Sequence, residues 1–226
     1  MSSTLRARLS INGEVHSSYT GTVLSNLLSQ TSVDIGSTQG GTRSWATYKA
    51  VTITDGTETG GGETGAGDIS PAKRLHTLRH GQEPYAIVVT CSDSRVIPES
   101  IFSAGLGELF VIRVAGNVID DHQLGSIEYA ASHLGTPLIV VLGHTLCGAV
   151  DAAINSDPEG YIKFITDEIK TAIGEEQDDY KACCLNVGHS MDIIEHSLQI
   201  HSLEEHEGLR VIGAVYRIDS GKVDFL

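Results

Sequence analysis

From residue 71 onward, short β-branched runs alternate with stretches whose apolar residues recur at helical spacing; before it no such alternation holds. Ala72 to His80 reads as a short helix. Tyr85-Ala86-Ile87-Val88-Val89-Thr90 follows Pro84 and has the length and branching of a strand. Leu109 to Val114 is a second strand. Leu138-Ile139-Val140-Val141-Leu142 is a third, apolar throughout, as a strand covered on both faces must be. Between the last two, Leu124, Ile127, Ala131 and Leu134 share one helical face, and Gly135 stands where a C-terminal capping glycine belongs. A further helix begins near Cys147. Val187, Met191, Ile194 and Leu198 place an apolar stripe on a long helix reaching about Glu207. Leu209 to Val215 is a last long strand, and Asp219 to Lys222 forms the turn of a hairpin closing at Val223 to Leu226. The pattern predicts an α/β fold: a mainly parallel β-sheet core flanked by helices, with a C-terminal antiparallel hairpin.

Residues 1–70 read differently. Gly36 to Gly67 is rich in glycine, threonine and serine, the composition of a flexible linker or exposed loop. It lacks the Gly-Lys-Ser/Thr ending of a phosphate-cradling loop, and no apolar strand leads into it. Ala50 to Thr54 fits a short strand, and Val23 to Leu28 a short helix or strand. The expected organisation is therefore an N-terminal region, 1–70, and an α/β domain, 71–226.

Composition narrows the partners. The chain has 226 residues, 40% of them apolar, with 15 basic against 29 acidic side chains and a net charge of −14. Nucleic acids and anionic membranes both require a positive footprint, so neither is expected as a partner. The longest apolar run, Pro137 to Gly143, is one strand's worth, and Met1 to Gly21 contains no continuous apolar segment of a secretory signal. The four cysteines do not form a disulfide framework: Cys183 and Cys184 are adjacent, and Cys91 and Cys147 are far apart. A reducing, cytoplasmic compartment is expected, with thiols free for metal binding or catalysis.

Two predicted strands run directly into chemistry-bearing residues. The first ends in Cys91-Ser92-Asp93-Ser94-Arg95 and the third in Gly143-His144-Thr145-Leu146-Cys147. Ligands of parallel sheets gather beyond the carboxyl ends of the strands. If these strands are neighbours, two sulfurs and one imidazole converge there, a soft set suited to tetrahedral zinc with a fourth position open. Cys147 falls at the first turn of a helix, where free N–H groups favour thiolate. In extended backbone Cys91, Asp93 and Arg95 face the same side. Asp93 either ligates the metal or accepts a hydrogen bond from metal-bound water, and Arg95 keeps it oriented and ionised. His196, His201 and His206 are five apart and share no helical face; these, with His76 and His80, read as solvated surface. Glu175 to Asp179 reads as an exposed acidic loop.

These motifs resemble those of the β-class carbonic anhydrases. The likeness rests on Cys91 to Glu99, Gly107 to Asn117, Gly125 to Ala130, Val141 to Val150, Asn186-Val187 and Gly213 to Tyr216, and covers about residues 72–226. It does not extend to residues 1–70, where the N-terminal helices usual in the family are not recognisable. The resemblance implies zinc held by Cys91, His144 and Cys147, and a catalytic dyad of Asp93 and Arg95. In it Asp93 is a fourth ligand only in a closed state. It further implies that Gln82 hydrogen-bonds the substrate, that Phe110, Ala115 and Tyr129 line an apolar pocket for carbon dioxide, and that Gly148 offers a backbone contact. The implied reaction is reversible hydration of carbon dioxide to bicarbonate and a proton by attack of zinc-bound hydroxide, in a homodimer or homotetramer. The alternatives on the same scaffold are a hydrolase of carbon disulfide or carbonyl sulfide, and a zinc-bound inactive binding protein.

Overall fold

The computed structural model describes the backbone of residues 2–11, 14–24, 48–55 and 67–226, and side chains over 67–226. The chain forms two compact units, Met1–His80 with Pro98–Leu106, and Gly81–Ile97 with Gly107–Leu226.

In the first unit, β1 (Ser2–Ile11), β2 (Glu14–Leu24) and β3 (Tyr48–Asp55) form an antiparallel sheet in the order β2-β1-β3. The strand expected over Ala50 to Thr54 lies within β3. Leu5, Ala7, Leu9 and Ile11 alternate with polar residues along β1, the period of a strand, and that signal went unread in the sequence. The expected element over Val23 to Leu28 begins in β2 and otherwise lies outside the described residues, as does most of the glycine-rich stretch. This unit also holds α1 (Pro71–His80), none of whose residues is buried, and the single turn α2 (Pro98–Ile101).

The second unit is built on a five-stranded sheet in the order β5-β4-β6-β7-β8, where β4 is Ala86–Thr90, β5 Leu109–Arg113, β6 Leu138–His144, β7 Arg210–Arg217 and β8 Lys222–Phe225. The first four run parallel and β8 pairs antiparallel with β7, as the apolar runs and the terminal hairpin predicted. Every residue of β4 and β6 is buried, which is why both are apolar without alternation up to their ends at Thr90 and His144. The helices are α3 (Asp121–His133), α4 (Gly148–Asn155), α5 (Tyr161–Ile173), α6 (Asp179–Glu195) and α7 (Leu198–Glu207). Ile127 of α3, Val150 of α4, Ile169 of α5 and Val187 and Ile194 of α6 join β4 and β6 in one core. At 25 cal/mol per Å², burial of each such side chain contributes roughly 1.5–3 kcal/mol.

The single long helix expected to reach Glu207 is two. Ser197 adopts extended backbone and its hydroxyl accepts the Ile200 N–H, so α6 ends and α7 is capped anew. Leu198, counted in the apolar stripe, consequently points outward and is 87% exposed. Helix α6 also lies unusually close to the sheet. A β-carbon on Gly143 of β6 would meet Val187 Cγ2 at 2.6 Å, and one on Gly213 of β7 would meet Val187 Cγ1 at 2.9 Å.

Candidate metal centre

Strands β4 and β6 are hydrogen-bonded neighbours, with Thr90 paired to Leu142, so their carboxyl ends deliver Cys91 and His144 to one place. Chain continuing from β6 turns back through Leu146, whose φ of 55° is left-handed, and Cys147 then forms the N-cap of α4. One ligand atom from each of Cys91, His144 and Cys147 lies within 4.8 Å of the other two, and all three residues are buried. Cys91 Sγ and Cys147 Sγ are 4.0 Å apart. His144 Nδ1 donates to the Thr145 carbonyl at 3.0 Å, which leaves Nε2 with its lone pair free. That Nε2 is buried and has no hydrogen-bond partner. An orphaned imidazole nitrogen facing two thiols fits a soft divalent cation such as zinc and few other occupants.

The electrostatics of the pair agree. Cys91 is drawn well below the ordinary thiol value because the Cys147 thiol donates to it, and the N–H groups of Gly116 (3.2 Å) and Asp93 (3.4 Å) add to this against the cost of burial. Cys147 is driven the other way by that neighbouring thiolate and by burial, although N–H groups at the start of α4 pull it down. A divalent cation held by both sulfurs would favour thiolate at each.

Asp93 and Arg95 do meet, but not through extended alternation. Arg95 N–H donates to Asp93 Oδ1 at 2.9 Å and Val96 N–H to the Asp93 carbonyl at 3.0 Å, so the chain turns here. Arg95 Nε and Nη2 then grip the two carboxylate oxygens at 3.0 and 2.7 Å, and this fork holds Asp93 well below the usual carboxylate range. Asp93 Oδ2 lies 3.9 Å from His144 Nε2, so the carboxylate stands beside the ligand atoms. Arg95 Nη2 also donates to the Leu146 carbonyl at 3.1 Å, tying the dyad to the loop that carries Cys147.

Of the remaining predicted residues, Gln82 is exposed in the segment leading to β4, and Gly148 is exposed at the first position of α4. Ala115 opens a short 3-10 turn after β5. The Phe110 and Tyr129 rings are 6.3 Å apart, with Tyr129 also stacked on His133.

Sequence reasoning missed several side chains around the site. Arg113, the one charge in an otherwise apolar β5, donates to the Cys91 and Asp93 carbonyls at 3.1 and 2.6 Å. Asp179, assigned to an exposed acidic loop, instead sits in the first turn of α6 and accepts the Leu146 N–H at 2.9 Å. Cys183 donates to the His144 carbonyl at 3.0 Å, and burial, its largest cause, pushes that thiol up to about 12, so it stays a donor. A carboxylate following Asp178 at a helix start was the only available signal, and nothing in the sequence marked Cys183.

A model of the carbonic anhydrase family matches residues 86–223. Carbonic anhydrase 2 of Mycobacterium tuberculosis is 37% identical over 156 residues, covering 64% of this chain and 75% of its own. A carbonic anhydrase of Mycolicibacterium smegmatis is 37% identical over 164 residues, covering 67% and 79%. Among solved structures, the β-carbonic anhydrase CafA of Aspergillus fumigatus superposes with a TM-score of 0.63 at 27% identity over 69% of this chain and 81% of that one. The β-carbonic anhydrase CcaA gives 0.60 at 28% identity over 69% and 82%. Sequence and fold thus agree over the unit that carries the buried Cys–His–Cys cluster, and this chain belongs to the carbonic anhydrase family, in its β class.

Proposed function

We infer that this protein catalyses the zinc-dependent, reversible hydration of carbon dioxide to bicarbonate and a proton. The observation that carries the inference is the buried Cys91–His144–Cys147 cluster with its orphaned Nε2, set beside a carboxylate already ionised by Arg95. Zinc held by those three residues supplies the Lewis acidity that makes a water molecule nucleophilic near neutral pH. The chain's own groups do the rest. Asp93, acceptor-only while ionised, would take a hydrogen bond from a water molecule beside the cluster and hold it facing the substrate; turned inward, it would instead serve as a fourth ligand. Arg95 keeps it ionised and in place. Phe110, Ala115 and Tyr129 present apolar surface to carbon dioxide. The Gln82 amide donates to the substrate oxygen on which charge develops, and Gly148 contributes a backbone contact.

The working enzyme is proposed to be a homodimer or homotetramer. Its support is apolar surface with no cover in one chain: Leu146, Tyr129, Tyr161 and Phe164 are exposed, and the apolar β5 stands at a sheet edge. A cytoplasmic location is proposed from four free cysteines, two of them ligands. Among the described residues no helix is long and apolar enough to cross a membrane. Residues 71–226 are proposed as the catalytic domain and 1–70 as an N-terminal region outside it.

Stopped-flow carbon dioxide hydration at pH 7 and 8.5, with zinc measured on the same sample, tests this reading. One zinc per chain with rapid hydration is expected. One zinc with no hydration at either pH, while carbon disulfide or carbonyl sulfide is hydrolysed, would replace carbon dioxide as the substrate.

A further inference from the structure

Helix α6 carries a row of polar side chains on the face it buries. Asp179, Cys183, Asn186 and Ser190 are separated by four, three and four positions. At 3.6 residues per turn they stay within about 60° of one line along roughly 16 Å of helix. Cys183, Asn186 and Ser190 are almost completely buried. Two members of the row reach the chain that carries His144 and Cys147, and two reach the turn beside the Cys91 thiol. Asp179 Oδ2 accepts the N–H of Leu146, the residue before Cys147, at 2.9 Å. Cys183 Sγ donates to the carbonyl of His144 itself at 3.0 Å. Asn186 Nδ2 donates to the Gly116 carbonyl at 2.7 Å, and the Gly116 N–H in turn donates to Cys91 Sγ at 3.2 Å, beside the Asp93 N–H. Ser190 Oγ donates to the Asn117 carbonyl at 2.9 Å, one residue further along the same turn.

The segments so held are strained ones. Among the described residues only Ser103, Asn117 and Leu146 have left-handed backbone without being glycine, and two of these three are gripped by the row. A non-glycine residue in that region persists only where its surroundings over-determine it. The rest of α6's buried face is apolar or small, Ala182, Val187 and Ile194, so packing alone did not call for polar groups here. A buried polar side chain is costly unless its hydrogen bonds are made, and each of these makes one to backbone around the cluster.

We propose that the Asp179–Cys183–Asn186–Ser190 row is the positioning element of the metal centre, one helix fixing the backbone at His144 and Leu146 and the 116–117 turn whose Gly116 N–H donates to the Cys91 thiol. These are positioning residues: none of them contacts the reacting atoms. The proposal rests on the ligand assignment made above.

The test compares zinc-loaded wild type with Asp179→Ala, Cys183→Ala and Asn186→Leu, with the bond-preserving variants Asp179→Asn and Cys183→Ser, and with Cys184→Ala as an off-row control. Zinc release to a chromogenic chelator, the visible spectrum of the cobalt(II) form and thermal midpoint are read on each. Bond-deleting variants are expected to release zinc about 10–100-fold faster and to shift the cobalt bands, while Asp179→Asn, Cys183→Ser and Cys184→Ala stay within about threefold of wild type. Release at the wild-type rate in the bond-deleting variants would overturn the proposal. So would equal acceleration in bond-deleting and bond-preserving variants that follows thermal midpoint alone. If a core variant does not fold, the partly exposed Asp179 pair decides. A wild type that binds no zinc would instead remove the ligand assignment, a separate failure visible before any variant is made.

Discussion

At Asp93, charge and position come from the same neighbour. The Arg95 fork accounts for the lowered carboxyl and for its orientation toward His144 Nε2, so an asparagine keeps the shape but loses the charge and one of the two acceptor oxygens. Asp93→Asn should retain one zinc per chain yet lose about 100-fold or more in turnover, measured by stopped flow beside elemental analysis. Cys147→Ser should instead lose zinc on dialysis, because a serine hydroxyl is a hard, poorly ionised ligand; full zinc retention would refute the assignment. Both residues were legible in the sequence because they follow strands whose apolar character is unmistakable. How Asp93 reaches Arg95 was not legible. Extended spacing predicted the meeting, whereas an aspartate-stabilised turn produces it.

Elements were readable where burial is uniform and unreadable where capping decides. Strand β6 came out of the sequence almost complete, since its buried positions from Leu138 to Leu142 are apolar without a break. The break between α6 and α7 did not, because Ser197 at the end of an apolar stripe looks like any exposed serine until its hydroxyl is seen to cap Ile200. The close approach of α6 to the sheet was equally hidden, although it depends on two glycines. Gly143→Ala would set a methyl 2.6 Å from Val187 Cγ2, one residue from His144. We expect it to cost about 1–3 kcal/mol by overpacking. Adding Val187→Ala should recover part of that loss, and urea unfolding of the two singles and the double measures it; strictly additive losses would rule out the contact as the cause.

Across the whole molecule, the end of the sheet farthest from β5 is closed by charge. Asp224 on β8 pairs with Arg217 on β7 and with Lys222, and accepts the Tyr180 hydroxyl from α6 at 3.3 Å. Burial opposes its ionisation, but Arg217 and Lys222 outweigh that and lower its carboxyl below the ordinary value. A carboxyl that titrates lower in the fold than in the unfolded chain, about 3.9, stabilises fully above that pH and loses the contribution as pH falls through the folded value. Asp224→Asn should therefore cost about 1–3 kcal/mol at pH 7, a gap that holds to about pH 4.5 and narrows below it. Urea titrations from pH 7 to 3 check this, and a gap that widens toward acid would contradict it.

By itself the sequence determined the α/β class, the parallel core and the three residues that the fold gathers into one cluster, because these rest on local signals: β-branched runs, strand ends and residue types with few other uses. Tertiary structure alone decided that β4 and β6 are neighbours, that His144 Nε2 is left without a partner, and that one face of α6 bonds the backbone at His144, Leu146, Gly116 and Asn117. Those facts join residues far apart in the chain, and only the packed sheet and helices bring them within hydrogen-bonding distance.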